Sequence, residues 1–182
     1  MYKLDSLPYD YSDLEPFIDT KTLGLHHKKH QQTYLNKLNA LLQKNNYMYN
    51  YSLVELLQHI NEFNENDREN ILFNLGGVIN HNIYFRSISP KPSLPGPVLM
   101  GKIVKKYQSF EKFKDSFKKK ALELKGSGYT FLVLDGNELN NIQVPLFMRW
   151  GNNKELITQD AQQLVKKMNE KITNKNKDIN FI

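Results

Sequence analysis

The sequence predicts an α+β fold: a long antiparallel helical hairpin at the N-terminus, followed by a mixed domain with a short antiparallel sheet. Three observations carry this. Apolar residues recur at helical spacing through residues 20–44 and again through 68–88, with short polar breaks between, which favours antiparallel neighbours. Pro90, Pro92, Pro95, Gly96 and Pro97 then exclude regular structure and mark a boundary. Beyond them, Tyr129 to Leu134 is a β-branched and aromatic run, answered by Glu138 to Val144 across the turn signal Asp135-Gly136-Asn137. The expected domains are residues 1–90, the helical hairpin, and residues 91–182, an α/β unit.

Three tyrosines and two prolines in residues 1–19 argue for an extended, aromatic-anchored segment lying across the helices that follow. Asp19 or Thr20 caps the first long helix, which runs to about Lys44 with Leu23, His26, His30, Tyr34, Leu38 and Leu41 inward and Lys28, Lys29 and Lys37 outward. Ser52 caps a short helix carrying Leu53, Leu56, Leu57 and Ile60, with His59 on the surface. Asn64 to Asp67 supplies the next cap, and a helix from about Arg68 to Ile88 turns Ile71, Leu72, Leu75, Ile79, Ile83 and His81 inward. After the prolines, Val98, Ile103, Val104 and Tyr107 suggest one helix. Ser109 caps the next, with Phe110, Phe113, Phe117, Ala121 and Leu124 as its inward stripe. Gly126-Ser127-Gly128 ends it before the strands, and Val144 to Trp150 either continues the second strand or adds a third. From Asn153, Ile157, Ala161, Leu164, Val165, Met168 and Ile172 line one face of a last amphipathic helix, and residues 174–182 are polar.

A length of 182 residues with 40% hydrophobic content is enough to bury a real core. No cysteine is present, so any metal must sit on nitrogen and oxygen ligands. No apolar run approaches the roughly 20 residues of a membrane span. The start Met1-Tyr2-Lys3-Leu4-Asp5 carries neither an apolar signal core nor an Arg-rich leader, so the expected location is the cytoplasm. The formal charge of +6 would suit RNA, but the lysines are dispersed, as on an ordinary solvated surface.

Three of the five histidines fall within residues 24–39. His26, His30 and Tyr34 repeat every four residues, which on an α-helix sets them in one row about 6 Å apart. Such a row can offer a metal ligand, its hydrogen-bonding neighbour and a phenol gate. A lone histidine on an apolar helix face is more often a satisfied core residue. The zinc-protease helix is excluded, because position 27 holds His where that motif needs its glutamate base. A second stretch, Asn74-Leu-Gly-Gly-Val-Ile-Asn-His81, has paired glycines that permit close helix contact. Two helices, each with one inward His, can build half of a metal site.

Five ordered blocks resemble the iron/manganese superoxide dismutase family: Leu7-Pro8-Tyr9-Asp10-Tyr11 with Leu14-Glu15-Pro16; His26-His27-x-x-His30-x-x-x-Tyr34-x-x-x-Leu38-Asn39; Gly76-Gly77-x-x-Asn80-His81-x-x-x-Phe85 ending in Ser89-Pro90; Phe110-x-x-Phe113-Lys114-x-x-Phe117; and Gly126-Ser127-Gly128-Tyr129-x-Phe131-Leu132. The resemblance implies a manganese or iron centre acting on superoxide. It makes His26 and His81 metal ligands, His30 and Tyr34 the catalytic relay and gateway, and Tyr129 an aromatic near the site. It further implies a homodimer, in which His30 would meet a glutamate of the other subunit. Gly77, four residues before His81, matches the manganese-type pattern, with Gln143 as a remnant of the glutamine that serves the bound solvent.

The family's remaining ligands lie in an Asp-x-Trp-Glu-His segment, and here Val144-Pro145-Leu146-Phe147 is followed by Met148-Arg149-Trp150-Gly151. No histidine follows His81. The sheet, three-stranded in the family, is expected to be foreshortened. Asp135, Glu138, Glu155 and Asp160 are the carboxylates at hand, and each reads as a solvated surface acid. The expectation is a dismutase-family protein whose activity is impaired or lost and whose Mn or Fe is weakly held or absent. The alternative is a non-catalytic, dismutase-like structural subunit, such as a mitochondrial small-ribosomal-subunit protein contacting RNA. A reading frame altered after residue 140 is a third reading, against which the apolar stripe from Ile157 to Ile172 speaks.

Overall fold

The computed structural model describes residues 1–91, 93–135 and 138–145. The chain divides into two compact units, residues 1–92 and the residues from Ser93 onward.

In the first unit Asp19 caps α1 (Thr20–Gly24), its carboxylate accepting from the Thr22 N–H at 2.8 Å. The chain then widens into a π-helical turn, Leu25–Gln31, before resuming as α2 (Gln32–Lys44). That turn corrects the expected inward row. The buried residues are Leu23, His27, Gln31, Leu35, Leu38 and Leu42, whereas His26 and Tyr34 are half-buried and His30 is exposed. A continuous α-helix would carry every fourth residue on one face. The π-turn shifts the phase, so His27, Gln31 and Leu35 take the buried places expected of His26, His30 and Tyr34, and Leu42 that of Leu41, while Leu23 and Leu38 are buried as expected.

Ser52 and Glu55 form a reciprocal capping box on α3 (Leu53–Gln58): the Ser52 hydroxyl accepts from the Glu55 N–H and the Glu55 carboxylate from the Ser52 N–H at 2.8 Å. Ser52→Ala is expected to cost about 1 kcal/mol, read as a lower urea midpoint with unchanged slope. Past a 3₁₀ turn at Ile60–Glu62, Asn64 caps α4 (Glu65–Ser87), three residues earlier than predicted. The early start reflects that cap together with Glu65 and Asp67 in the first turn, where carboxylates favour the helix dipole. Helices α2 and α4 pack as the predicted hairpin around Leu35, Leu38, Leu42, Leu56, Ile71, Leu75 and Val78. Of the residues expected inward on α4, Leu72, Ile79 and Ile83 are only half-buried, because the seam runs through Val78 to His81 and Phe85.

Asp67 locks the two helices together. It accepts from Lys44 Nζ at 2.7 Å and from Asn45 Nδ2 at 3.0 Å, both at the end of α2. These partners, Lys44 first, hold its carboxyl below its ordinary value. A depressed carboxyl contributes stability above the usual carboxylate range and loses it as pH falls through its folded value. Thermal scans from neutral pH down to about pH 2 are therefore expected to show a shallower acid decline for Asp67→Asn than for wild type. An unchanged acid decline would refute the role assigned to this pair.

Residues 1–19 cross both hairpin helices, as expected. The Tyr2 N–H donates to Asn39 Oδ1 at 3.0 Å, and the Tyr9 hydroxyl donates to the Phe85 carbonyl at 2.8 Å. Leu14, Leu23 and Phe85 form a second small core beneath this strap.

The second unit begins with α5 (Pro97–Tyr107), whose buried residue is Ile103, while Val98 is 77% and Val104 45% exposed. Both valines depart from the predicted apolar face. Ser109 caps α6 (Phe110–Leu122), accepting from the Lys112 N–H. Phe110, Phe113 and Phe117 run as a half-buried ladder with ring spacings of 5.9 Å, and Ala121 is exposed rather than inward. Strands β1 (Gly128–Asp135) and β2 (Glu138–Pro145) pair antiparallel from Gly128↔Pro145 to Asp135↔Glu138. Residues 144–145 thus continue β2, despite Asn140 and Asn141 within it. A third strand over residues 146–150 and the helix expected from residue 153 lie outside the described residues. Among those described, no helix is long and apolar enough to cross a membrane.

Candidate metal centre

The first unit brings three of the predicted site histidines together. His26, on the π-turn, has its ring 5.0 Å from that of His81 on α4, edge to face, and 5.9 Å from His30. His30 lies 5.2 Å from His81. Tyr34 completes the group, 5.3 Å from His30 and 5.4 Å from His81. The spacing reading thus placed these residues together although it misjudged the helix that carries them.

His81 is 1% exposed, and its Nδ1 stands 2.6 Å from the Gly77 carbonyl. A carbonyl only accepts, so Nδ1 carries the proton and Nε2 is the basic nitrogen. Burial, with a smaller contribution from the neighbouring imidazoles, pulls the ring down to about 4. His26 is lowered by burial first and then by His30 and His27. Both rings are therefore neutral near pH 7, the form a metal ligand requires.

Gly77 makes the approach of the helices feasible at this level. A Cβ there would sit 2.6 Å from Cγ of Tyr34, so only a bare backbone accepts the phenol ring. Around His26 the wall is aromatic: Tyr84 at 5.3 Å and Phe85 at 5.0 Å. Tyr84, one of the aromatics that follow His81 in the sequence, was not among the expected site residues, although its place three residues on, one turn along the helix, is a usable signal.

His27 is also missing from the sequence reading as a site residue, yet it is 4% exposed and held at both nitrogens. Its Nε2 lies 2.9 Å from the Asp5 carbonyl and its Nδ1 2.6 Å from the Tyr11 hydroxyl. Because the carbonyl must accept, Nε2 is protonated and Tyr11 donates to Nδ1. His27 thus pins the N-terminal strap to the turn that carries His26 and His30.

Two neutral imidazoles suit manganese or iron as nitrogen donors, but they are not a complete site. Among the described residues, no set of three His, Cys, Asp or Glu side chains is placed to hold a metal ion. Asp135 and Glu138 are exposed in the second unit, where Glu138 approaches Lys106 at 3.5 Å. Gln143 donates its amide to the Lys120 carbonyl of α6. Tyr129 is half-buried on β1, stacked 5.8 Å from Phe131. Glu155 and Asp160 lie outside the described residues.

A helical hairpin presenting paired neutral histidines, followed among the described residues by two helices and a short antiparallel sheet, places the chain in the α+β class. Comparison with known proteins narrows the class. The alpha-hairpin domain of iron/manganese superoxide dismutases matches residues 1–89, and the C-terminal domain of the same family matches residues 95–173. The manganese superoxide dismutase 2 of Bacillus anthracis is 37% identical over 145 residues, covering 79% of this chain and 70% of that protein. The mitochondrial manganese enzyme of Aspergillus fumigatus is 39% identical over 140 residues, or 74% of this chain and 63% of its own. A manganese/iron superoxide dismutase 2 of Staphylococcus aureus is 35% identical over 144 residues, 79% of this chain and 71% of its own. The chain belongs to the iron/manganese superoxide dismutase family.

Proposed function

We propose that this family member has lost most or all of its dismutase capacity, because its ligand set stops at His26 and His81. The observation that carries the reading is that residues 95–173, matched to the family's C-terminal domain, contain no histidine. When bound in this family, manganese or iron supplies the reversible one-electron chemistry that converts superoxide to oxygen and hydrogen peroxide. Here the protein's own part reduces to two oriented, neutral imidazoles and an aromatic wall. An ion on two imidazoles keeps extra waters and dissociates readily.

Elemental analysis after incubation with manganese or iron is expected to find less than one ion per chain. Copper or zinc should be retained better, following the Irving–Williams order for nitrogen donors. One tightly held manganese or iron per chain would refute this reading. Exposed Lys105, Lys106, Lys112, Lys118 and Lys119 on α5 and α6 favour, as a second reading, a structural subunit contacting RNA. Its mark would be RNA association that falls steeply with salt and is indifferent to metal.

A further inference from the structure

Beneath the N-terminal strap lies a cavity of about 10 Å³ lined by Asp5, Ser6, His27, Gln31, Asn82 and Arg86, among others. Its hydrogen-bond polarity is fixed from one end. The Asp5 carboxylate can only accept, and one of its oxygens takes Arg86 at 2.8 Å and Asn82 Nδ2 at 3.2 Å. Asn82 therefore turns its Oδ1 the other way, where it accepts from Gln31 Nε2. Gln31 in turn must direct its own carbonyl oxygen away from Asn82. That oxygen has no hydrogen-bond partner among the described residues, although Gln31 is 1% exposed and lines the cavity. A buried acceptor without a donor bears its desolvation cost uncompensated, so a donor is strongly favoured there.

We propose that this cavity is a binding site for a single ordered water, which donates a hydrogen bond to Gln31 Oε1. The volume matches one water, for which about 10–15 Å³ suffices. The remaining walls supply its other partners, since the Asp5 carbonyl, already bonded to His27, retains a second lone pair. Asp5, on the strap, thereby sets the direction of a chain of amides that ends on Gln31, the last residue of the π-turn.

Two measurements on the full chain test this. An atomic-resolution crystal structure is expected to show a water within hydrogen-bond distance of Gln31 Oε1, and Gln31→Met is expected to lack it. A dry cavity, or Gln31 Oε1 resting against a protein donor, would overturn the proposal. In solution, Gln31→Glu sets acceptor against acceptor at Asn82 and is expected to lower Tm by about 2–4 °C or more. Adding Asp5→Asn frees Asn82 to turn its NH2 toward the new carboxylate, so the double variant is expected to recover at least half of that loss. A harmless Gln31→Glu, or no recovery in the double variant, overturns the directed chain.

Discussion

Assayed against superoxide after reconstitution with manganese or iron, the chain is expected to be at least about 100-fold slower than a family member with a full ligand set. Loss of a group that merely orients a ligand already costs about 10–100-fold in metal affinity or activity, and here the matched C-terminal domain contains no histidine. The physical cause is geometry as much as affinity. On the proposed reading, two imidazoles with rings 5.0 Å apart would fix one edge of a coordination shell and leave the rest to water, so the geometry and charge that poise the redox couple between its two half-reactions would not be imposed. His81→Ala separates the outcomes. If the residual rate is that of unspecific metal, the variant leaves it unchanged. Robust activity abolished by His81→Ala would mean that residues beyond 145 complete a working centre.

The adjacent glycines of α4 are expected to respond with opposite signs. At Gly76 a new methyl group meets nothing within 4 Å, so Gly76→Ala gains helix propensity and should raise stability by about 0.5–1 kcal/mol. At Gly77 the same methyl group falls 2.6 Å from Cγ and 2.9 Å from Cε1 of Tyr34, inside any tolerable contact. The ring is packed against Phe73, His30 and His81, and displacing it disturbs all three contacts. Gly77→Ala is expected to cost about 3 kcal/mol, the upper part of the range for overpacking a well-filled site. Urea unfolding of both variants and wild type decides the matter. Equal midpoints for the two alanines would contradict the packing described.

How far these features were legible in the sequence depends on what each residue needs. His26 could be found because it recurs with His30 and Tyr34 at helical spacing, and His81 because the glycines ahead of it announce a close approach. The caps at Asp19, Ser52 and Ser109 were legible because capping is a local hydrogen bond between residues at most three positions apart. His27 and Gln31 were not, since their partners at Asp5, Tyr11 and Asn82 lie 16 to 51 positions away. Only the tertiary fold turns such polar residues into core. The exposure of His30 escaped for another reason. A π-turn is a slip in backbone hydrogen bonding, and no residue type marks it, so a wheel drawn at 3.6 residues per turn put His30 inside.

The seven residues of that slip act as a coupling between two shafts. Upstream, Leu23 is keyed to the strap with Leu14 and Phe85; downstream, Leu35, Leu38 and Leu42 are keyed to the hairpin core. A rigid α-helix would tie the angular setting of one to that of the other. With the joint between them, each end meets its own core, and His26 and His30 ride on a turn that His27 ties to the strap through Asp5 and Tyr11.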